Sequence, residues 1–185
     1  MNKGLLIFLV AVILLGTIFV GAYNGLVVKK ESVTAAWAQI ENVLQRRADL
    51  IPNLVNTVKG YAAHEKTVFE DVTKARSAWA GAATISDKVN AASAMDSAIG
   101  RLLMVAENYP TLKADGVFLK LQDELAGTEN RIAVERMRYN EAVRSYNISL
   151  RTFPSNIIAK QFGFTQFSEY FKSEEKAKTV PQVNF

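Results

Sequence analysis

The chain has 185 residues, with 22 Lys or Arg, 18 Asp or Glu, one His and no Cys. A chain of this length fits one domain and can bury a sizeable core. The lack of Cys excludes disulfides, thiol nucleophiles, iron–sulfur clusters and cysteine-ligated zinc, and a single His excludes a His-rich metal site. The net charge of +4, with the two signs well mixed, is too small to indicate a nucleic-acid partner. We therefore expect no cofactor, no metal and no nucleic acid.

The N-terminal segment is apolar enough to cross a membrane. Residues 4–28 carry no charged side chain. As a helix, these 25 residues would measure about 37 Å at about 1.5 Å per residue, and a bilayer core is about 30 Å thick. Lys3 precedes the segment, and Lys29 and Lys30 follow it. We predict a short flank over residues 1–3 and one transmembrane anchor over residues 4–28, with the lipid bilayer as its partner.

Two properties of this segment stay open from the residues alone, namely its cleavage and its orientation. The apolar run from Leu5 to Val20, followed by Gly21-Ala22, is also similar to a signal peptide, although the run is long for one. One basic residue precedes the segment, and four follow it at positions 29, 30, 46 and 47. The positive-inside rule therefore favours a cytoplasmic body.

A helical seam follows the apolar segment. From Val33 to Trp79, apolar or aromatic residues recur at steps of four and three, which predicts a helix with one buried face. Pro52 lies beside this seam and should kink or restart the helix, because it lacks a backbone donor. Gly60 is a second weak point. The membrane helix either breaks near Lys29 or runs straight into this one.

The pattern of the rest of the chain also predicts helices. We predict that Ser86 or Asp87 caps the second helix and that residues 108–110 end it. The third helix is predicted to begin near Ala114 or Asp115 and to end at Pro154. A short amphipathic stretch follows over residues 157–171. The predicted fold is all-α: an antiparallel bundle of three long helices plus a short C-terminal helix, preceded by one N-terminal transmembrane helix. The bundle is predicted over residues 29–172, and the polar residues 173–185 are predicted to be a flexible tail.

Three charged side chains occupy seam positions. Arg47, Glu65 and Glu135 are predicted to be buried, and a buried charge needs a partner. We therefore expect Arg46 or Arg47 to pair with Glu129 or Glu135 across facing helices. This arrangement is interpreted as an ion pair that fixes the helix register, with a ligand pocket as the alternative.

We find no catalytic constellation among these residues. His64-Glu65 is similar to the start of a zinc-protease motif, but that motif needs a second His at position 68, which is Val. Neither a phosphate-binding Gly-rich loop nor a Gly-x-Ser-x-Gly elbow is present in the sequence. We therefore predict that the protein is not an enzyme.

A Tyr-Asn pair occurs twice in the third helix, at 139–140 and at 146–147. The spacing of seven residues places Asn140 and Asn147 on one helix face and the tyrosines on the adjacent face. We expect the asparagines to hydrogen-bond to a neighbouring helix or loop, with a ligand site as the alternative. The Phe-rich stretch 162–171 either packs back onto the bundle, which we favour, or lies on the membrane surface.

Together, these residues resemble the LemA family. The most specific match is the decapeptide 46–55, Arg-Arg-Ala-Asp-Leu-Ile-Pro-Asn-Leu-Val, and the resemblance covers roughly residues 23–171. The positions singled out as family-motif or structural residues are Tyr23, Asn24, Trp37, Arg46, Arg47, Asp49, Pro52, Asn53, Tyr61, Glu65, Tyr109, Pro110, Glu129, Asn130, Arg131, Glu135, Tyr139, Asn140, Tyr146, Asn147, Phe153 and Pro154.

The resemblance implies a bacterial, membrane-anchored and largely helical protein with no assigned enzymatic activity. One branch of the family is associated with magnetosome membranes, which implies a part in membrane organisation. Some members carry a lipidated Cys just before the first Tyr-Asn pair, so their body lies outside the cytoplasm, whereas this chain has Gly21-Ala22 there. The resemblance therefore favours an extracytoplasmic body, opposite to the charge count, and the side of the membrane stays open.

The sequence thus predicts a non-enzymatic scaffold or adaptor, anchored in the bacterial inner membrane, that binds a protein partner or a second copy of itself. The alternative is a sensing receptor module. In that alternative, a ligand would bind near Arg47, Glu135 and the Tyr-Asn face and would shift the helix that enters the membrane, with Pro52 as the hinge.

Overall fold

A computed structural model describes residues 3–171, so the predicted flexible tail at residues 173–185 lies outside the described part. Between residues 3 and 171 there are six helices and no strand. The helices are α1 (Lys3–Lys59), α2 (Lys66–Gly81), α3 (Ile85–Glu107), α4 (Pro110–Lys113), α5 (Gly116–Ser149) and α6 (Ser155–Gln161). The predicted all-α class is confirmed for this part of the chain.

α1 is one uninterrupted helix of 57 residues, about 86 Å long at about 1.5 Å per residue. Residues 3–21 are exposed, whereas Ala22 and Tyr23 pack against the core and Leu26 is buried. Of the two arrangements considered from the sequence, the structure has the continuous one, with no break near Lys29. The exposed apolar segment and the first helix of the body are therefore a single element.

Pro52 lies inside α1 without ending it, so of the predicted kink or restart the restart is wrong. A residue at this position would normally donate its N–H to the carbonyl of Ala48, which a proline cannot do. Arg76 on α2 donates instead, with its Nε 3.0 Å from the Ala48 oxygen. Because Ala48 is buried, this bond satisfies a carbonyl that has little access to water. The bond explains how α1 continues past the proline.

The single helix predicted over residues 33–79 is two helices. The chain reverses over residues 60–65, where the Val58 carbonyl accepts hydrogen bonds from the N–H groups of Tyr61 and Ala62 at 3.0 and 2.9 Å. α2 also turns an apolar face to the core. The apolar spacing of three and four residues therefore continues across the turn, so the periodicity of the sequence does not reveal where α1 ends.

Side-chain caps set the beginnings of α3 and α5. Thr84 caps α3, rather than the predicted Ser86 or Asp87, and its hydroxyl oxygen accepts the N–H of Asp87 at 3.1 Å. α5 begins where predicted, near Asp115, and Asp115 caps it, because its carboxylate accepts two N–H groups of the first turn at 2.8 and 2.9 Å.

The long helices alternate in direction, and the core lies between α1, α2, α3 and α5. α1 runs antiparallel to α5, and α2 runs antiparallel to α3. The contacts that fix these directions are Arg46–Glu124 and Trp37–Tyr139 between α1 and α5, and Asp71–Arg101 and Trp79–Lys88 between α2 and α3.

Beyond α5, the chain forms α6 and then returns along α5 without helical structure. α5 ends at Ser149, before the stop predicted at Pro154, and α6 is the only helix that follows within the described residues. We call residues 164–171 the return segment. Its phenylalanines pack against the core, as we favoured from the sequence, whereas Phe162 just before it is 51% exposed.

Candidate functional site

Arg47 on α1 is a charged side chain inside the bundle, and it is only 6% exposed. Its Nε lies 3.1 Å from Oδ1 of Asp96 on α3, and its Nη1 donates to Glu129 on α5. Asp96 also lies 3.7 Å from the guanidinium of Arg136 on α5. Two positive and two negative side chains thus join three helices. We call these four residues the charge cluster.

The charge cluster compensates its own charges. Removing a charged group from water costs several kcal/mol unless ion pairs and hydrogen bonds replace the water. Sliding α1 along α5 would separate Arg47 from Glu129, and sliding it along α3 would separate Arg47 from Asp96, so the cluster also opposes a change of register. The predicted pairing of Arg47 with Glu129 is confirmed. The other predicted partners pair differently, since Glu135 binds Arg138 at 2.7 Å and Arg46 binds Glu124 at 3.3 Å.

Sequence reasoning missed Asp96 and Arg136, although the spacing contained a signal for both. Each lies four residues after one buried side chain and three residues before another, Asp96 between Ala92 and Ile99 and Arg136 between Ile132 and Tyr139. Such a position faces the core of a helix bundle. On α5 the apolar spacing allows either residue 135 or residue 136 to face the core. In the structure both side chains are half-buried.

Asn140 and Asn147 on α5 bind the main chain of the return segment. Each side-chain amide donates to the carbonyl of one residue and accepts the N–H of the same residue. The bonds between Asn140 and Phe171 measure 2.9 and 3.0 Å, and those between Asn147 and Phe167 measure 2.8 and 3.1 Å. The predicted bonding of these asparagines to a neighbouring loop is confirmed. The face considered as a ligand site is therefore covered by the chain itself.

Aromatic rings of the return segment fill the space beside these asparagines. Phe171 stacks on Trp37 of α1 with a centroid distance of 6.0 Å, and it meets Tyr139 edge-on at 5.7 Å. Phe167 meets Tyr146 edge-on at 5.5 Å. Such pairs contribute about 0.5–1.5 kcal/mol beyond their burial. The return segment is therefore held by both its main chain and its side chains.

The two tyrosines of the repeated Tyr-Asn pair differ in their hydroxyl partners. The Tyr146 hydroxyl donates to the carbonyl of Thr165 at 3.1 Å, whereas the buried Tyr139 hydroxyl has no hydrogen-bond partner within residues 3–171. Burial raises the pKa of Tyr146. Burial, followed by the negative charge of Glu169, raises the pKa of Tyr139 to about 12. Both hydroxyls are therefore protonated at neutral pH, and neither is a base there.

A cavity of about 240 Å³ adjoins Tyr139, between the beginning of α3 and the return segment. Ser86, Val89, Glu169 and Tyr170 are among its lining residues. Sites for drug-sized ligands usually measure about 300–1,000 Å³. This cavity has room for water or for a very small molecule.

A polar contact at the far end of the bundle joins the turn after α1 to the residue that caps α5. The Tyr61 hydroxyl donates to Oδ2 of Asp115 at 2.9 Å. The backbone N–H of Phe118, and next the Tyr61 hydroxyl, hold the pKa of Asp115 below its ordinary value. The same bond raises the pKa of Tyr61, because it places the hydroxyl beside a carboxylate.

His64 and Glu65 lie in the turn between α1 and α2, with His64 exposed and Glu65 half-buried. The predicted burial of Glu65 in a helical seam is wrong, because α1 ends before it and Glu65 precedes the first residue of α2. Over residues 3–171, no group of three or more His, Cys, Asp or Glu side chains is arranged to hold a metal ion.

The family-motif positions are distributed over the surface and the core. Five of them are buried: Trp37, Arg47, Tyr139, Tyr146 and Asn147. Six are intermediate: Tyr23, Glu65, Tyr109, Glu135, Asn140 and Pro154. Eleven are exposed: Asn24, Arg46, Asp49, Pro52, Asn53, Tyr61, Pro110, Glu129, Asn130, Arg131 and Phe153. The structure brings the buried ones together in the charge cluster and under the return segment, and the exposed ones do not converge on one pocket.

Comparison with known proteins places this arrangement in a family. The family model described as LemA family matches residues 36–185, which is most of the chain. The chain belongs to the LemA family. Magnetosome proteins MamQ 1 and MamQ 2 of Paramagnetospirillum magneticum are each 27% identical to it over 190 residues, covering 87% of this chain and 70% of each relative. Protein LemA of Metamycoplasma hominis is 25% identical over 171 residues, covering 92% of this chain and 78% of that protein.

In this LemA-family chain, α1 is long and apolar enough to cross a membrane, and it is the only helix of the described part that is. Its most apolar window has a mean hydropathy of 2.9, and none of that window is buried. The core helix of a soluble protein is mostly buried, whereas this stretch is exposed. An N-terminal signal sequence can also be long and apolar enough to meet this description.

Proposed function

We propose that this protein is a non-enzymatic, membrane-anchored helical scaffold or adaptor of the bacterial cell envelope. It would cross the inner membrane once, with its body outside the cytoplasm. The observation that carries the proposal is the continuity of α1 from the exposed apolar stretch into the body. Because no flexible linker separates the two, the anchor would hold the body at a fixed height above the bilayer.

The polar groups of the interior support a structural role. The charge cluster pairs its charges internally, and the two asparagines bind the main chain of their own return segment. These groups maintain the fold and are not presented to a substrate. The relatives named as magnetosome proteins support a role in a larger assembly.

Site-specific cross-linking in native membranes tests the scaffold proposal. The chain has no Cys, so a single introduced Cys is the only thiol. Met104 on α3 and Met137 on α5 are 61% and 66% exposed and suit this substitution. At native expression levels, Met104→Cys or Met137→Cys treated with a bifunctional thiol reagent should give discrete adducts of higher mass. The unsubstituted chain is the control and should give none. A monomer alone at every exposed position tested would contradict a scaffold.

A sensing module is the second candidate function, and one observation favours it. The unpartnered hydroxyl of Tyr139 adjoins the small cavity beside the return segment, where a ligand could supply the missing hydrogen bond. The substitution Tyr139→Phe separates the two proposals. The scaffold proposal expects the variant to complement a deletion of the gene as well as the parent does. A folded, stable Phe variant that fails to complement would favour sensing.

A further inference from the structure

An apolar surface lies at one end of the bundle, on α6 and the turns beside it. Phe153 is 79% exposed, Ile157 is 59% exposed and Phe162 is 51% exposed. We call these three side chains the base patch. The next residues of α6, Ile158 and Ala159, are buried in the core. α6 is therefore firmly docked, and it turns apolar side chains outward as well as inward.

The base patch adjoins the apolar part of α1. The ring of Phe162 meets the rings of Phe19 and Tyr23 edge-on, with centroid distances of 5.8 and 5.0 Å. A helix needs about 20 residues to cross a bilayer core. Every stretch of that length within residues 4–28 includes both Phe19 and Tyr23. Wherever such a span begins, Phe162 lies level with a part of α1 that is inside the membrane.

We propose that the base patch inserts into the bilayer that α1 crosses, as a second and peripheral membrane contact. This inference rests on the proposed anchoring of α1. With a span that begins at Gly4, the core of the bilayer ends near Tyr23, and Phe19 lies about 6 Å below that level at about 1.5 Å per residue. Amphipathic elements bury their apolar side chains about 5–10 Å into the boundary between headgroups and acyl chains. Phe162, which contacts both Phe19 and Tyr23, therefore lies at a depth near the shallow end of this range.

The charged residues around the base patch support lipid as its partner. Arg151 precedes Phe153, and Lys160 lies on α6 between Ile157 and Phe162, and both basic side chains are exposed. Basic side chains at the membrane surface are attracted by anionic headgroups, and their long aliphatic stems let the charge reach the aqueous side. No acidic residue lies between positions 151 and 162. The surface thus combines apolar side chains with positive charge, which suits a membrane that contains anionic lipid.

A second contact fixes the orientation of the body on the membrane. A single transmembrane helix leaves the body free to tilt relative to the bilayer, and insertion of α6 beside α1 limits this tilt. The turn at the end of α1 then points away from the bilayer. At about 1.5 Å per residue, Lys59 lies about 54 Å from the level of Tyr23.

Depth-dependent quenching in vesicles tests the inference on the full-length chain. Three single-Cys variants carry a small environment-sensitive fluorophore: Ile157→Cys in the base patch, Ile13→Cys in the apolar stretch of α1, and Met137→Cys on the exposed face of α5. Each is reconstituted into phosphatidylcholine–phosphatidylglycerol vesicles with nitroxide-labelled lipids. We expect the fluorophore at residue 157 to be quenched at least about half as strongly as the one at residue 13, and most strongly by a nitroxide near the headgroup. The fluorophore at residue 137 is the control and should not be quenched.

The outcomes separate this inference from the proposed anchoring. If residue 13 is quenched and residue 157 behaves like residue 137, the base patch does not meet lipid, although α1 is still an anchor. If residue 157 is shielded from water but is not quenched, a protein surface covers the patch, and the inference is also wrong. If residue 13 is not quenched, the anchoring itself fails.

Discussion

The hydrogen bond from Arg76 to Ala48 makes a quantitative prediction about the proline in α1. In Arg76→Met, the Ala48 carbonyl loses its donor, and Pro52 cannot replace it. A hydrogen bond to a charged group contributes about 1.5–3 kcal/mol, and a buried acceptor without a partner costs about 1–3 kcal/mol. Because Arg76 is only half-buried, water can replace part of the lost bond. We expect a loss of about 2 kcal/mol in the free energy of unfolding.

The double variant tests whether the bond acts through the proline. In Pro52→Ala, residue 52 regains an N–H that donates to Ala48 within the helix, so Arg76 becomes redundant. In that background, Arg76→Met should cost less than about 1 kcal/mol, which gives a coupling free energy of about 1–1.5 kcal/mol. Urea unfolding of the full chain in detergent micelles, followed by circular dichroism, measures these differences. Lys74→Met on the same helix is the control, because it removes an exposed charge of the same sign. Additive effects of the two substitutions would refute the compensation.

Three further predictions concern the polar groups of the core and the caps. Tyr139→Phe should leave the stability unchanged or raise it, because it removes a buried hydroxyl that has no hydrogen-bond partner within residues 3–171. Tyr146→Phe should cost about 1 kcal/mol, because it removes the hydrogen bond to Thr165. Equal effects of the two substitutions on thermal unfolding would contradict this assignment of partners. Arg47→Met should destabilise the fold by about 3 kcal/mol, since it leaves Glu129 without its cation and Asp96 with only the more distant Arg136, and Arg46→Met at the surface should cost less than about 1 kcal/mol. If the two cost the same in urea unfolding, the charge cluster is not a structural core. The folded chain holds the pKa of Asp115 below 3.8, so this carboxylate stabilises the fold above that pH and loses the effect as the pH falls through its folded pKa. Asp115→Asn can still cap α5 but lacks the stabilisation by the ionised carboxylate. The difference in melting temperature between parent and variant should therefore shrink on acidification. A difference that stays constant with pH would contradict this linkage.

Local patterns in the sequence were sufficient for the helical class and for several helix ends. The beginning of α5 near Asp115 and the end of α3 were predicted, because the residues that start and stop a helix act within one turn of the chain. The sequence marked Gly60 as a weak point, but a turn over residues 60–65 was not predicted, because the apolar spacing continues on α2. The continuation of α1 past Pro52 could not be predicted from local patterns either, because the compensating donor, Arg76, lies 28 residues from Ala48 on another helix.

Partners across the fold were only partly predictable. Burial of a charge at position 47 required a carboxylate nearby, and Glu129 was correctly among the expected partners. The seam on α5 passes equally well through residues 135 and 136, so the pattern could not decide which side chain faces the charge cluster. The base patch was not predicted, because the exposure of Phe153 and Ile157 depends on how α6 docks against α1.

Anchoring by an uncleaved α1 is the central claim of this account, and the intact mass of the native protein in fractionated cells tests it most directly. One sample of spheroplasts is treated with protease. Membranes from an untreated sample are washed at alkaline pH, which releases proteins that do not cross the bilayer. The account predicts a full-length chain that resists the alkaline wash and that external protease digests without lysis. A chain that lacks residues 1–22 and appears in the soluble fraction would contradict the anchor. A full-length chain that is protected until lysis would retain the anchor but place the body in the cytoplasm.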